Sequence, residues 1–337
     1  MTDKGDIGYC SYMRNAGIDL LRILAIFTVV VIHTAAGDIA YRDGLLHYMP
    51  LANACFAFLA GWFLFNPSAE VLSFRDIGGL LGKRLRRLMI PYLLWEGIYF
   101  LANIGFDLMS GKFNPPVGTD WIGIVFFGSS SVQLWFVITL VYAQLVLCCI
   151  MAVMAALKWN TFKRGYPMAL LFILLAFSLL LWRTSGIEID YLRRFAFLLG
   201  YGALGIGFRR VAHEMRGFNN CLICRGAVFV AGGLVIASWF LNVPEVVLVL
   251  AWCLVFGCMP IHASLQKCLS YCSGAVMGIY LCHVCFTRMI AMGVPVVSRV
   301  IPNGYALVLV NAIIGFVASL AFVLLLKRTS WRWMISI

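Results

Sequence analysis

Repeated apolar blocks of membrane-spanning length constrain the fold of this chain more than any other feature. Apolar residues make up 63% of its 337 residues, and charged residues make up 12%. The blocks run for about 20 residues, the length that an α-helix needs to cross the hydrocarbon core, and they lack the alternation of a half-buried strand. The sequence therefore predicts an all-α polytopic membrane protein with about ten transmembrane helices. Their approximate bounds are 17–37, 46–65, 88–109, 132–157, 166–182, 195–208, 222–241, 244–259, 273–291 and 304–326.

The positions of the basic residues predict how these helices are oriented. Most of the 26 Lys and Arg residues lie at helix ends on the side of the N-terminus, so the positive-inside rule predicts that both termini are cytoplasmic. The domain prediction is a cytoplasmic tail at 1–16, one transmembrane unit at 17–326 and a second cytoplasmic tail at 327–337. The segment 121–128 is too short to span, and we expect a short interfacial or re-entrant helix there.

Charge and cysteine content argue against other classes of protein. Membrane topology accounts for the formal net charge of +12, so nucleic-acid binding is not indicated. Most of the twelve cysteines lie within apolar blocks, where a free thiol behaves as a small hydrophobe. Cys221 and Cys224 form a CxxC, but no second cysteine pair or histidine pair accompanies it at zinc-finger spacing. We therefore expect no structural disulfide and no metal.

The first apolar block carries three ionisable residues on one face. On an α-helix, Arg22 lies about 60° from Asp19, and His33 lies about 20° from Arg22, so a single polar stripe runs along the helix. Ionisable groups within a span are costly and usually mark a functional site facing a wet interior. The alternative is an Asp–Arg pair that anchors the helix end together with a histidine that packs between helices.

Two more sets of residues could serve a membrane-embedded site. The basic run Lys83, Arg84, Arg86 and Arg87 precedes the third span. Such residues often face anionic lipid, but several arginines together also suit a polyanionic cofactor such as coenzyme A.

The second set lies at the fourth and ninth spans. Gln133 and Trp135 open the fourth span, and Tyr280 and His283 lie one turn apart in the ninth. Each has an ordinary structural explanation as well: an interfacial aromatic for Trp135, and a buried histidine bonded to a backbone carbonyl for His283.

Taken together, these segments resemble the membrane acyltransferase family 3, which includes many bacterial O-acetyltransferases of surface polysaccharides. The resemblance covers essentially the whole chain and is closest to the short, ten-span members that lack an appended domain. The segments that carry it, in order, are Ile18-Asp19-x-x-Arg22-x10-His33, Arg84-x-x-Arg87 with Pro91-Tyr92, Leu134-Trp135-Phe136, and Gly278-Ile279-Tyr280-Leu281-x-His283.

Two positions depart from the family pattern. Ala60-Gly61-Trp62 stands where Ser-Gly-Tyr is common, and Gln133 stands where many members have histidine. A neutral amide can orient a substrate, but it cannot act as a base near neutral pH.

The resemblance implies an acyl-CoA-dependent O-acyltransferase in the bacterial inner membrane. Acetyl-CoA would be the cytoplasmic donor, and a hydroxyl of a cell-surface or lipid-linked glycan would be the acceptor, with membrane lipids around the protein. The implied catalytic residues are His33 as general base, Arg22 near the cofactor and Asp19 as its orienting partner. The implied cofactor-binding residues are Arg84, Arg87, Arg86 and Lys83, and the supporting residues are Trp135, Gln133, Tyr280 and His283.

Three questions remain open at the level of sequence. Direct transfer to the acceptor and a relay through an acyl-histidine are both compatible with His33. A multipass transporter of a small solute such as an amino acid would also place Arg and His along an intramembrane path. A catalytically silent membrane scaffold is a third interpretation.

Overall fold

A computed structural model describes residues 15–35, 50–64, 74–111, 119–156, 166–184, 189–214, 245–259, 261–297 and 304–335. These residues form helices connected by turns. The predicted seventh span at 222–241, nearly all of the predicted tail at 1–16, and the CxxC pair lie outside the described residues. The α-helices, in chain order, are α1 Ala16–Ala35, α2 Pro50–Trp62, α3 Phe74–Met109, α4 Thr119–Phe127, α5 Leu134–Ala156, α6 Tyr166–Thr184, α7 Asp190–Glu214, α8 Glu245–Cys258, α9 Ala263–Ser273, α10 Val276–Val297 and α11 Gly304–Lys327, and a 3₁₀ helix follows at Ser330–Met334.

Helix length and hydropathy within the described part of the chain confirm a helical, multipass membrane protein. Four stretches are long and apolar enough to cross a membrane, namely Ala16–Ala35, Ile77–Met109, Leu134–Met154 and Ala306–Lys327. The pair α9 and α10, bent by 59°, gives a fifth if it counts as one span. The total of ten spans and the N-in, C-in orientation stay predictions.

Helix α1 is central to the packing. It contacts five helices, the neighbouring α2 and the C-terminal helices α8, α9, α10 and α11. Apolar residues such as Leu21, Ile26 and Val30 are buried along its length. An ionisable group on this helix therefore faces other helices of the protein, which is where intramembrane polar residues are tolerated.

Glycines allow two pairs of helices to approach closely. A Cβ added at Gly61 of α2 would lie 1.9 Å from the carbonyl oxygen of Gly202 in α7, and one at Gly205 would lie 2.1 Å from that of Phe58. A Cβ at Gly17 would lie 1.7 Å from the carbonyl oxygen of Phe256 in α8. Small residues at such crossings let the backbones meet, as is common between membrane helices.

The structure differs from the sequence prediction at the third span. The basic segment near 75–87 and the span at 88–109 form one continuous helix, α3, that contains Pro91. Proline removes one backbone donor, but the helix continues through it. At 36 residues, α3 is about 54 Å long, which is longer than the roughly 30 Å hydrocarbon core of a bilayer. The basic N-terminal part of α3 can therefore lie outside that core.

The structure gives more detail at two places, the predicted ninth span and the short segment before the predicted fourth span. The expected single span at 273–291 is α10 preceded by a separate helix, α9, with the bend at Gly274 and Ala275. The expected short helix at 121–128 is present as α4, and Gly128, the residue directly after it, has a positive φ of 65°. Its interfacial or re-entrant character stays a prediction.

The C-terminal segment, expected to be a tail, folds back onto the bundle. Its 3₁₀ helix packs against α3 and α11. The indole nitrogen of Trp95 in α3 donates a hydrogen bond to the carbonyl oxygen of Met334 (2.9 Å), and Ile335 is buried.

Candidate active site

The first two residues of the polar stripe meet at the junction between α9 and α10. The Ser273 hydroxyl donates a hydrogen bond to a carboxylate oxygen of Asp19 (2.6 Å), and the guanidinium of Arg22 donates to the same hydroxyl oxygen (3.4 Å). Asp19 and Ser273 are buried, and Arg22 is half-buried. Ser273, at the end of α9, therefore links to both Asp19 and Arg22 of α1. The sequence alone did not indicate this role.

The third residue of the stripe lies beside a second histidine. The imidazole rings of His33 and His283 have centroids 5.0 Å apart and are tilted by 46°. His33 is half-buried, whereas His283 is fully buried at 0% exposure. The structure thus brings together two predicted residues that are 250 positions apart in the chain.

Backbone carbonyls fix the tautomer of His283. Its Nδ1 lies 2.8 Å from the carbonyl oxygen of Tyr280 and 3.2 Å from that of Ile279. A carbonyl only accepts hydrogen bonds, so Nδ1 must carry the proton, and in the neutral ring Nε2 then has a free lone pair. Nε2 is buried and has no hydrogen-bond partner within the described residues. The site thus contains an available proton acceptor close to His33.

A loop between α4 and α5 holds the turn of α10 that carries His283. The Tyr280 hydroxyl donates to the main-chain oxygen of Gln133 (2.9 Å), and the Gln133 amide donates to the main-chain oxygen of Leu281 (3.4 Å). Ser131 donates to the Gln133 side-chain oxygen (2.6 Å), and Tyr99 of α3 donates to the Leu281 oxygen (2.8 Å). Gln133 and Tyr280, both predicted as supporting residues, are therefore connected to the histidine pair.

Trp135 lies at the edge of this cluster and faces the start of α7. The Arg194 guanidinium stacks over its indole ring at 4.6 Å from the centroid, and Arg194 is also paired with Asp190. The ring of the adjacent Phe136 lies 5.3 Å from that of Tyr280. Trp135 is thus close in sequence to the cluster, but its cation–π contact is with Arg194.

The predicted cofactor-binding residues lie on the extended basic part of α3. Arg84 is half-buried, and its guanidinium donates to the carbonyl oxygens of Ala60 (3.5 Å) and Phe63 at the end of α2. Carbonyls at a helix C-terminus lack intrahelical donors and are commonly satisfied in this way. Arg84 therefore secures α2 to α3. The side chains of Lys83, Arg86 and Arg87 are exposed. The cofactor-binding role of all four residues, Arg84 included, stays a prediction.

A buried acid that the sequence analysis passed over lies near the loop between α4 and α5. Glu96 of α3 is 3% exposed, and one of its carboxylate oxygens accepts a hydrogen bond from the backbone N–H of Ser130 (2.9 Å). Among the described residues, its other oxygen and the Ser130 hydroxyl have no hydrogen-bond partner. An isolated acidic residue inside an apolar block is a signal that could have identified Glu96 from sequence.

The arrangement has two polar regions along α1. One is the Asp19, Arg22 and Ser273 cluster near its start, and the other is the pair His33 and His283 near its end. His33 lies fourteen positions after Asp19, which corresponds to about 21 Å along the helix axis. The charged cluster at the start of α1 and the histidine pair near its end suit a long substrate. One end of such a substrate would be bound at the charged cluster while its reactive atoms lie near the histidines.

A protein-family model matches this chain. The family model described as an acyltransferase domain matches residues 15–328, nearly the whole chain. No curated protein and no solved structure matches the chain significantly. Across the described residues, no group of three or more His, Cys, Asp or Glu side chains is placed to hold a metal ion.

Proposed function

This chain belongs to membrane acyltransferase family 3, and on that premise we propose that it transfers acetyl from cytoplasmic acetyl-CoA to a hydroxyl of a cell-surface or lipid-linked glycan. The observation that carries the proposal is the contact between His33 and His283, whose ring centroids lie 5.0 Å apart. Imidazole is the side chain that most often serves as a general base near neutral pH, and here the half-buried ring of His33 lies beside the buried ring of His283.

In direct transfer, the acceptor oxygen attacks the thioester carbonyl carbon while a histidine takes the hydroxyl proton. The new C–O bond forms, the C–S bond breaks, and the proton passes to the departing thiolate, so that the products are an O-acetyl ester and free coenzyme A. We assign the proton transfer to His33. His283, with Nδ1 committed to the Tyr280 carbonyl, offers Nε2 as a second acceptor that stabilises the positive charge on His33.

The same pair is compatible with an acyl-histidine relay. In that route a histidine nitrogen attacks the thioester, coenzyme A leaves, and the acceptor hydroxyl then attacks the acyl-imidazole and frees the histidine. Because His33 lies about 21 Å along α1 from Asp19, a relay would carry the acetyl group toward the far side before the acceptor binds.

The remaining predicted residues divide between donor and acceptor sides. In the proposed orientation, the basic residues of α3, Arg84 among them, lie toward the cytoplasm and bind phosphates of the donor. Arg22 meets the donor farther in, and Asp19 holds Arg22 through Ser273. The loop that contains Gln133 lies on the acceptor side, where it supports Tyr280. The proposed location is the inner membrane of a bacterium.

Labelled acetyl-CoA supplied to membranes that contain the acceptor tests this function. We expect His33→Ala to lower acetyl incorporation by about 10²- to 10⁴-fold, the range for loss of a general base. At His283 we compare Asn, whose amide keeps a donor near the Tyr280 carbonyl, with Gln, whose amide replaces Nε2. Both should lower transfer, because neither amide accepts a proton near neutral pH.

A matched histidine variant provides the control. His262 is exposed and caps α9, and His262→Asn keeps a good capping residue, so its activity should equal that of the wild type. Full activity in His33→Ala would refute the proposed function. Full activity in His283→Gln would limit the proton chemistry to His33. Label that stays on the protein without acceptor, and is lost in His33→Ala, would indicate the relay.

A further inference from the structure

A solvent-open cavity lies at the end of the bundle where α1 begins and α11 ends. Its volume is about 730 Å³, and it lies between the start of α1, the helix α9 and the end of α11. In the proposed orientation this end is cytoplasmic. The lining residues are Ala16, Asp19, Gln266, Lys267, Ser270, Tyr271, Gly274 and Lys327.

The lining combines two lysines with an accessible aromatic ring. Lys267 is exposed on α9 and Lys327 ends α11. The Lys327 ammonium lies 5.5 Å from the centroid of the Tyr271 ring, and that side chain is 50% exposed. Gly274 leaves room for the ammonium, because a Cβ there would lie 3.2 Å from it. Cationic donors beside an exposed ring form a surface with the chemistry of a nucleotide site.

The acidic residue in the lining does not cancel this character. The Asp19 side chain is buried and accepts the Ser273 hydroxyl, which in turn accepts a hydrogen bond from Arg22. Its carboxylate is thus engaged by Ser273, whereas Lys267 is exposed on α9. The cavity also contacts the start of the polar stripe that leads along α1 to His33.

We propose that this cavity binds the phosphorylated nucleotide end of the acyl donor, an inference that rests on the function proposed above. Lys267 and Lys327 bind the ribose 3′-phosphate, and the Tyr271 ring stacks against the adenine. The pantetheine arm then follows α1 toward His33. This assigns the adenine and the 3′-phosphate to α9 and α11, on residues that the sequence motifs do not include, and leaves the diphosphate to the basic residues of α3.

The test measures binding of coenzyme A and of 3′-dephospho-coenzyme A to the purified full-length protein. We expect the wild type to prefer coenzyme A by about tenfold, as for one charge-assisted contact. Lys267→Ala combined with Lys327→Ala should reduce that ratio to about one and leave affinity for the dephospho form nearly unchanged. Tyr271→Ala should weaken both ligands equally. Restoring both positions as arginine should restore the preference.

Arg328→Ala is the matched control. Arg328 follows Lys327 directly, is exposed and is not part of the cavity lining. The control removes one unit charge from the same surface and the double lysine variant removes two, so a general change in surface potential would lower the preference for coenzyme A in the control as well. We expect Arg328→Ala to keep the wild-type ratio of affinities, and an equal loss of preference in this control would refute a specific phosphate site.

Anionic lipid headgroups offer the same phosphate chemistry, and a second arm separates the two sources. Nanodiscs of phosphatidylcholine alone are compared with nanodiscs that contain phosphatidylglycerol. If the double lysine variant loses phosphatidylglycerol binding but keeps the wild-type preference for coenzyme A, the cavity is a lipid site and the proposal is wrong. A wild-type protein that transfers acetyl but binds coenzyme A and 3′-dephospho-coenzyme A equally well would refute this site and leave the proposed function intact.

Discussion

The crossing of α2 and α7 gives a prediction that depends on backbone geometry alone. Gly61 of α2 packs directly on the backbone of Gly202 in α7, and a Cβ at Gly61 would lie 1.9 Å from the Gly202 carbonyl oxygen, 2.7 Å from its carbonyl carbon and 2.8 Å from its Cα. Because all three atoms belong to the main chain, no rotamer change can relieve the overlap. The perturbation is Gly61→Ala.

The magnitude follows from the size of that overlap. Ordinary contact begins near 3.4 Å, so the two helices must separate by about 1.5 Å to admit one methyl group. Overpacking costs about 1–3 kcal/mol, and a rigid backbone obstacle favours the upper end. Alanine returns up to about 1 kcal/mol through its higher helix propensity. We therefore expect a net loss of about 2 kcal/mol.

The assay is thermal unfolding of the purified protein in a single detergent, with Gly105→Ala in α3 as the control. No atom lies within 4 Å of a Cβ at Gly105, so that variant should be as stable as the wild type or slightly more stable. Gly61→Ala should unfold several degrees lower and should also lose transfer activity, because the end of α2 holds Arg84. Equal melting temperatures for the two variants would refute the close crossing.

Three further predictions concern single contacts. Glu96→Ala should destabilise the fold by about 1–3 kcal/mol more than Glu96→Gln, because only Ala leaves the buried backbone N–H of Ser130 unpaired. Thermal unfolding of the two variants measures this difference, and equal melting temperatures would contradict it. Arg84→Ala should cost about 1–3 kcal/mol through the lost carbonyl contacts at the end of α2, whereas the exposed Arg86→Ala should stay within about 0.5 kcal/mol in the same measurement. Gly128→Ala should lower both the melting temperature and acetyl transfer. A positive φ costs a non-glycine residue about 1–2 kcal/mol, and the new Cβ would lie 2.7 Å from the Leu134 backbone. Unchanged acetyl transfer would contradict this prediction.

Local sequence was sufficient to predict a helix and its bounds where a long apolar run lies between polar residues. The first and last spans, expected at 17–37 and 304–326, are helices Ala16–Ala35 and Gly304–Lys327. Sequence was insufficient at α9, whose residues Ala263–Ser273 are mostly polar on one face and are too few to span. Such a segment looks like a connection, and its helix and bend depend on packing against α1.

The same distinction applies to the candidate site. The stripe of Asp19, Arg22 and His33 follows from helical periodicity, and the structure places these residues on one helix as expected. Their partners come from far along the chain: Ser273 is 254 positions from Asp19. A serine has no pattern that would identify it. Only tertiary packing selects that one serine, whereas His283 could be singled out as a histidine inside an apolar span, one turn from Tyr280.

The departure at Gln133 can be understood from the contacts of its amide. Its oxygen accepts the Ser131 hydroxyl, and its nitrogen donates to the Leu281 carbonyl. A neutral histidine also has one acceptor and one donor, so either residue can fasten the loop to the turn of α10. The base in the proposed reaction is His33, with His283 beside it, and Gln133 is 1% exposed with both ends of its amide engaged. Replacing histidine by glutamine at this position therefore preserves the support of His283 and removes no group that the proposed chemistry requires.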